Sequence, residues 1–275
     1  MKKILMLALA TLTLTQTLYA FKVNNVALNG ARWRSYPVSL NINTANSGLA
    51  EKEVIATIQE DMSKWNTAVG FEALAISGTD TTPSSETMAV DGVNNIAFSL
   101  NFKSDSSGFD PESAVAIAGQ YGDGYTMSDA FLLFNSEYVA WDTDSATSTS
   151  KRSYRDNLPT IALHELGHVL GLGHSDIATA VMAAVRQTKI VETLTDDDIA
   201  GAKYVTGIDA SSSDAAGQGS SSGTNRSSMS GGCATITNSS GGSNGGNISG
   251  NAAIMLLPML ALLFIRRRAI SFNRQ

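Results

Sequence analysis

Cysteine and histidine are almost missing from this sequence: 275 residues contain one cysteine, Cys233, and three histidines. A lone cysteine leaves an exported chain without an internal disulfide. Its core must be held by packing, and by metal if metal is bound. Basic residues are scarce in the middle of the chain. Residues 21–207 carry 23 acidic and 12 basic side chains, a net charge of −11. Such a balance makes an exported domain a poor candidate for nucleic-acid binding. Acidity is also compatible with calcium sites, although it does not by itself define one. No repeat of solenoid type is present. Nor does any apolar run reach the roughly 20 residues of a comfortable membrane-crossing helix.

Two shorter apolar runs lie at the ends. Lys2 and Lys3 precede a mostly apolar stretch from Ile4 to Leu14, and Tyr19-Ala20 resembles a cleavage site. This is the pattern of a secretory signal peptide over residues 1–20; an uncleaved anchor is the alternative. At the other end, Ala252 to Ile265 is apolar and Arg266, Arg267 and Arg268 follow directly. Fourteen helical residues cover about 21 Å, less than the roughly 30 Å of a hydrocarbon core. The arginines should stay cytoplasmic, which places the rest of an exported chain outside the cytoplasm. Between the domain and this tail, residues 208–250 are dominated by Ser, Gly, Asn and Ala. A segment of that composition cannot bury enough apolar surface to offset its ordering entropy, and reads as a tether. The expected organisation is a signal peptide at 1–20, a compact domain at 21–207, a linker at 208–250 and a hydrophobic anchor with its arginine cluster at 251–275.

Within 21–207, Val38, Leu40 and Ile42 alternate as in a strand. Val54, Ile58, Met62 and Trp65 form one apolar stripe of a helix. Ile96, Phe98, Leu100 and Phe102 alternate again, predicting a second strand. SAVAIAG and DAFLLFN are short apolar runs of buried-strand type. Thr195, with Asp198 three residues on, begins a last helix that Gly207 can end. The predicted order is strand, helix, several strands, helix, helix.

All three histidines fall in HELGHVLGLGH, residues 164–174. LPTIALHELGHVLGL reads as a helix with Pro159 in its first turn. His164 and His168 are four apart and project from one side, so both imidazoles can reach one zinc ion. Gly171 can adopt a left-handed conformation, end the helix and turn the chain, bringing His174 back to the metal. Glu165, beside the first ligand, can reach a water at the metal without binding the ion. Zinc would lower the pKa of that water and polarise a carbonyl, with Glu165 as general base. The chemistry predicted is hydrolysis of peptide bonds. The alternative in a different class is a tethered zinc-binding module that holds peptides without cutting them.

The motif H-E-x-x-H-x-x-G-x-x-H resembles that of the metzincin zinc endopeptidases. Met182, eight residues after His174, matches the methionine turn of that clan, and Ser175 is the residue typical of its matrixin, or matrix metalloproteinase-like, branch. The resemblance covers about residues 33–207. It implies an α+β fold: a twisted, mixed five-stranded sheet with two packed helices and a third after the methionine turn. It also implies an edge strand that binds extended substrate by strand addition, for which SAVAIAG is the candidate. Calcium is a further cofactor implied by resemblance, with carboxylates available in DSSGFDPES and YGDGYTMSD. There are departures too. No histidine remains for a second, structural zinc. The inhibitory propeptide cysteine is absent, and 21–33 is short for a prodomain. Ala184 stands where astacins and serralysins have a ligating tyrosine, and Ala183 to Val185 lack the usual Pro-x-Tyr wall. The tail, with SGGC ending at Cys233, is similar to C-terminal sorting signals of Gram-negative bacteria; a simple anchor, which charge and hydropathy alone would explain, is the alternative. Cys233 is a candidate processing or lipid-attachment site, or an incidental thiol. A monomer is expected, membrane- or surface-anchored, or released after processing.

Overall fold

The computed structural model describes residues 20–27, 30–81, 90–123, 125–143, 155–184 and 190–208. The expected signal peptide before Ala20, the linker beyond Ile208, the anchor and Cys233 lie outside them. Among the described residues no helix is long and apolar enough to cross a membrane.

Strand β1 is Arg32–Trp33 and β2 is Val38–Asn43; helix α1 is Glu51–Val69, followed by β3 (Leu74–Asp80) and β4 (Asn94–Ser99). A one-turn helix α2 (Phe102–Asp105), β5 (Ala116–Gly122), β6 (Thr126–Asn135), β7 (Ala140–Asp142) and β8 (Arg155–Asn157) come next. Helices α3 (Leu158–Leu170) and α4 (Asp196–Thr206) close the domain. The main sheet runs β3-β2-β4-β6-β5, parallel except for β5, which pairs antiparallel with β6. The two-residue β1 adds a parallel pair at Thr126 and Met127 of β6, a sixth strand beyond the five expected. β5 occupies one edge of β6 from Met127 to Phe134, so β1 must share the other edge with β4. β7 and β8 form a separate parallel pair just before α3.

The main core lies between the sheet and helices α1 and α3. Val38, Leu40 and Ile42 of β2 meet the predicted stripe of α1, Val54, Ile58, Met62 and Trp65, all buried. A second apolar cluster of Ala97, Phe102, Ala114, Ile117, Phe131 and Leu133 covers the opposite face of β4, β5 and β6. Those strands are therefore buried on both faces, as parallel sheets usually are. This corrects the expected strand through Phe102. β4 ends at Ser99, Leu100 is 53% exposed, and Phe102 opens α2. Asn101 accepts the backbone N–H groups of Ser104 and Asp105, and Ser99 Oγ accepts that of Asn101. The Phe98-Leu100-Phe102 alternation is a coincidence of two different apolar layers.

The SAVAIAG strand also begins later than expected. Ser113 and Ala114 donate to the Asp110 carbonyl in a turn, and β5 starts at Ala116 and runs on to Gly122. YGDGYTMSD is accordingly part of a hairpin, and Asp123 Oδ1 accepts from the N–H groups of Tyr125 and Thr126 at 2.9 and 2.7 Å. Asp110 Oδ1 accepts from Glu112 N at 3.1 Å. Both carboxylates serve turns.

One buried group on α1 is electrostatically costly. Asp61 Oδ1 accepts from Lys64 Nζ at 2.8 Å, while its Oδ2 is buried without a hydrogen-bond partner. Burial pushes the Asp61 carboxyl up to about 7, with Lys64 opposing the shift and Glu60 and Glu192 adding to it. Between the ordinary value of 3.8 and 7, the folded chain holds a proton that the unfolded chain has lost. Stability should therefore fall as pH rises through that window, by at most about 1.4 kcal/mol per unit. Asp61→Asn should remove this slope. Thermal melts at pH 4 and pH 8 should show the variant gaining on the parent mainly at the higher pH; parallel shifts would contradict the assignment.

Candidate metal centre

α3 begins where Asn157 Oδ1 accepts from Thr160 N at 2.9 Å, with Pro159 in the first turn. It ends at Gly171, whose φ of 119° few side chains could adopt. The helix is buried almost throughout, including His164, Glu165 and His168. Two tryptophans hold its backbone: Trp65 Nε1 donates to the Leu163 carbonyl and Trp33 Nε1 to that of Val169, each at 2.9 Å.

His164, His168 and His174 come together with their candidate ligand nitrogens all within 4.8 Å of one another. The ring hydrogen bonds set the tautomers. His164 Nδ1 lies 2.6 Å from the Val181 carbonyl, and His168 Nδ1 lies 2.8 Å from that of Leu172. A carbonyl only accepts, so each Nδ1 carries the proton and each Nε2 presents a bare lone pair. These two Nε2 atoms are 3.1 Å apart. His174 Nε2 is buried with no hydrogen-bond partner. Facing lone pairs repel unless a cation lies between them. Tetrahedral zinc with bonds of about 2.05 Å needs its nitrogens roughly 3.3 Å apart. Burial lowers the pKa of all three rings, His164 to about 3, which keeps them neutral as ligands must be. The residues fit a zinc ion.

Gly171 and Gly173 carry the chain round to His174. The segment 20–24 runs beside this turn: Val23 bridges Leu172 antiparallel, Gly173 N donates to the Lys22 carbonyl at 2.8 Å, and Asn24 N to that of Gly171 at 2.9 Å. Lys22 Nζ pairs with Asp176 at 2.6 Å on the outside. On the other side, Ser175 N donates to the Met182 carbonyl at 2.7 Å. Met182 is buried directly beneath α3. A Cβ on Gly167 would fall 2.3 Å from Met182 Sδ and 2.9 Å from Trp65 Cζ2, so only glycine permits this approach.

Two acidic residues of α4 secure the surroundings. Asp198 accepts from Val181 N at 2.9 Å and Met182 N at 3.0 Å, and also closes the capping box with Thr195. Asp197 Oδ2 accepts from Ser175 Oγ at 2.6 Å, and its Oδ1 accepts the backbone N–H groups of Ala20 and Phe21 at 2.6 and 2.9 Å. The sequence indicates Thr195 and Asp198 as a cap, but not the second use of Asp198. The one available signal was an acidic triplet longer than a cap needs. Among the described residues, the histidines are the group of three or more His, Cys, Asp or Glu side chains placed to hold a metal. Ala183 and Ala184 follow the methionine; Val185 lies outside the described residues.

A mixed sheet with one antiparallel edge strand, backing a helix with two histidines, a glycine turn to a third and a methionine below, defines a metzincin-type zinc metallopeptidase fold. Comparison with known proteins narrows the class. The sequence matches the matrixin family (Peptidase_M10) over residues 32–207, and the chain belongs to that family. It is similar to matrix metalloproteinase-16 of Homo sapiens, 27% identical over 186 residues, which make up 66% of this chain and 28% of that protein. It is also similar to the hatching enzyme of Paracentrotus lividus, 28% identical over 180 residues, 65% of this chain and 27% of the relative. Metalloendoproteinase 2-MMP of Arabidopsis thaliana is 39% identical over 70 residues, 25% of this chain and 18% of the relative. The chain thus matches under a third of the length of these relatives.

Proposed function

We propose that the chain is an exported endopeptidase using one zinc ion, held by His164, His168 and His174, to hydrolyse peptide bonds of extracellular or periplasmic proteins. The observation that carries this reading is the pair of facing Nε2 lone pairs, 3.1 Å apart, beside the buried and unpartnered Nε2 of His174. Bound zinc would supply Lewis-acid polarisation of the scissile carbonyl and stabilise negative charge developing on its oxygen. Glu165, buried one residue after the first ligand, takes the proton from the attacking water and delivers it to the leaving amine. The Val181 and Leu172 carbonyls hold the first two imidazoles in the ligating tautomer throughout. Among the described residues β5 pairs with β6 alone in the sheet, which leaves an edge to which an extended substrate can add as a further strand. Met182 supports the ligand helix from below. Residues 1–20 act as the export signal, 208–250 as a tether, and 251–275 as an anchor or a removable sorting signal.

The test is cleavage of casein or gelatin by the full chain. Activity should vanish on chelation and return with stoichiometric zinc, and the melting temperature should fall on chelation, because a ligand bound only by the folded state stabilises it. Zinc binding without cleavage of any denatured protein or peptide library would identify a binding module instead.

A further inference from the structure

Gln120 is an unexpected residue in its place. It lies in β5 on the same face as Ala116 and Ala118, turned toward α3, and is fully buried. Its Oε1 accepts from Asn24 Nδ2 at 2.6 Å, while its Nε2 is buried with no hydrogen-bond partner. An unsatisfied buried amide is destabilising, and an apolar side chain would avoid that cost. Stability of the strand alone does not favour glutamine here.

Asn24 connects this amide to the ligand helix. Its Nδ2 also approaches the His168 carbonyl at 3.4 Å, its backbone N–H donates to the Gly171 carbonyl at 2.9 Å, and its Oδ1 accepts from Ala27 N at 3.0 Å. The turn from His168 to Leu172 offers three carbonyls that matter for the metal. Asn24 holds those of His168 and Gly171, and that of Leu172 receives the His168 ring. We infer that Gln120 and Asn24 form a positioning bridge, which couples the free edge strand of the sheet to the helix turn that orients His168. Asn24 fixes the turn, and Gln120 ties Asn24 to β5. A peptide added to the edge of β5 loads the same bridge, so substrate binding and the ligand geometry are mechanically linked. That last consequence rests on the proposed peptidase function; the bridge itself does not.

The test uses Gln120→Leu, which removes the acceptor at similar volume, and Gln120→Glu, which keeps an oxygen for Asn24 Nδ2. Gln120→Met serves in place of the leucine variant should that one fail to fold. Each is made in the full chain, loaded with zinc for kinetics and with cobalt for its absorption spectrum. The apolar variant should fold, hold one metal ion, shift the cobalt bands and lose about tenfold in kcat on extended peptides, the scale on which outer partners of metal ligands act. Gln120→Glu should restore both readouts to within about twofold. An apolar variant with parental spectrum and kinetics would overturn the bridge, as would a glutamate variant impaired as badly as the leucine one. If the parent cuts no peptide, the proposed function fails, and the cobalt spectra alone decide the bridge.

Discussion

Glu165→Gln should bind one zinc ion per chain and hydrolyse peptides about a hundred- to ten-thousandfold more slowly than the parent, the loss expected when a general base is removed. The glutamate is fully buried in α3, and its neighbours Leu163, Leu166 and His168 are buried as well. Glutamine has nearly the same shape, so the helix and the three histidines keep their places. The difference is chemical: a neutral amide accepts no proton from water and returns none to a leaving amine. Both proton transfers fail in the variant, while the lone pairs that bind the metal are untouched. Metal content by atomic absorption and kcat/KM on a peptide substrate measure the two effects separately. Turnover within tenfold of the parent would remove Glu165 from the role of base. Loss of zinc from the variant would show that the carboxylate supports the metal instead.

What could be read in the sequence was what local spacing determines. The i, i+4 histidines, the glycine that turns the chain toward the third, the stripe of α1 and the cap of α4 are each set within a few residues of one another. In the structure the three histidines lie together, α3 ends at Gly171, the stripe of α1 is buried and Thr195 caps α4. The boundary of β4 was not legible, because a strand buried on both faces loses the alternation that marks its end. Ile96, Ala97, Phe98 and Ser99 are all buried, and Phe102 joins a different cluster from Phe98. The partners that hold the ligands were not legible either. Asn24 meets the His168 carbonyl across 144 positions of sequence, and Phe21 meets Asp197 across 176. Nothing in a stretch such as FKVNN distinguishes a loose leader from a strap buried beside the third ligand. Gly167 is a similar case. Inside a helix it looks like a weak residue, and only the approach of Met182 and Trp65 explains it.

Asp198→Ala should be the most destabilising single change near the site, at about 4 kcal/mol. The carboxylate accepts from Val181 N, Met182 N, Thr195 N and Thr195 Oγ1, and it is buried. Its removal leaves two buried N–H groups of the methionine turn without acceptors, at about 1–3 kcal/mol each, and takes away half of a helix cap worth roughly 1 kcal/mol. The effect extends to the metal through one residue. Val181 receives the Asp198 hydrogen bond on its N–H and gives its carbonyl to His164 Nδ1. When the turn loosens, His164 loses the contact that selects its ligating tautomer, so zinc should also dissociate faster. For a domain of this size the stability loss corresponds to a fall of about 8–16 °C in melting temperature. Asp196→Ala is the control. That residue lies in the same first turn of α4 but is exposed, and its loss should cost under about 1 kcal/mol from the helix dipole alone. Melting curves of the two zinc-loaded variants, with zinc release followed by a chromogenic chelator, separate the hypotheses. Equal melting shifts would reduce Asp198 to a helix cap. A large shift with unchanged zinc release would confine its role to stability and break the proposed link from Asp198 through Val181 to His164.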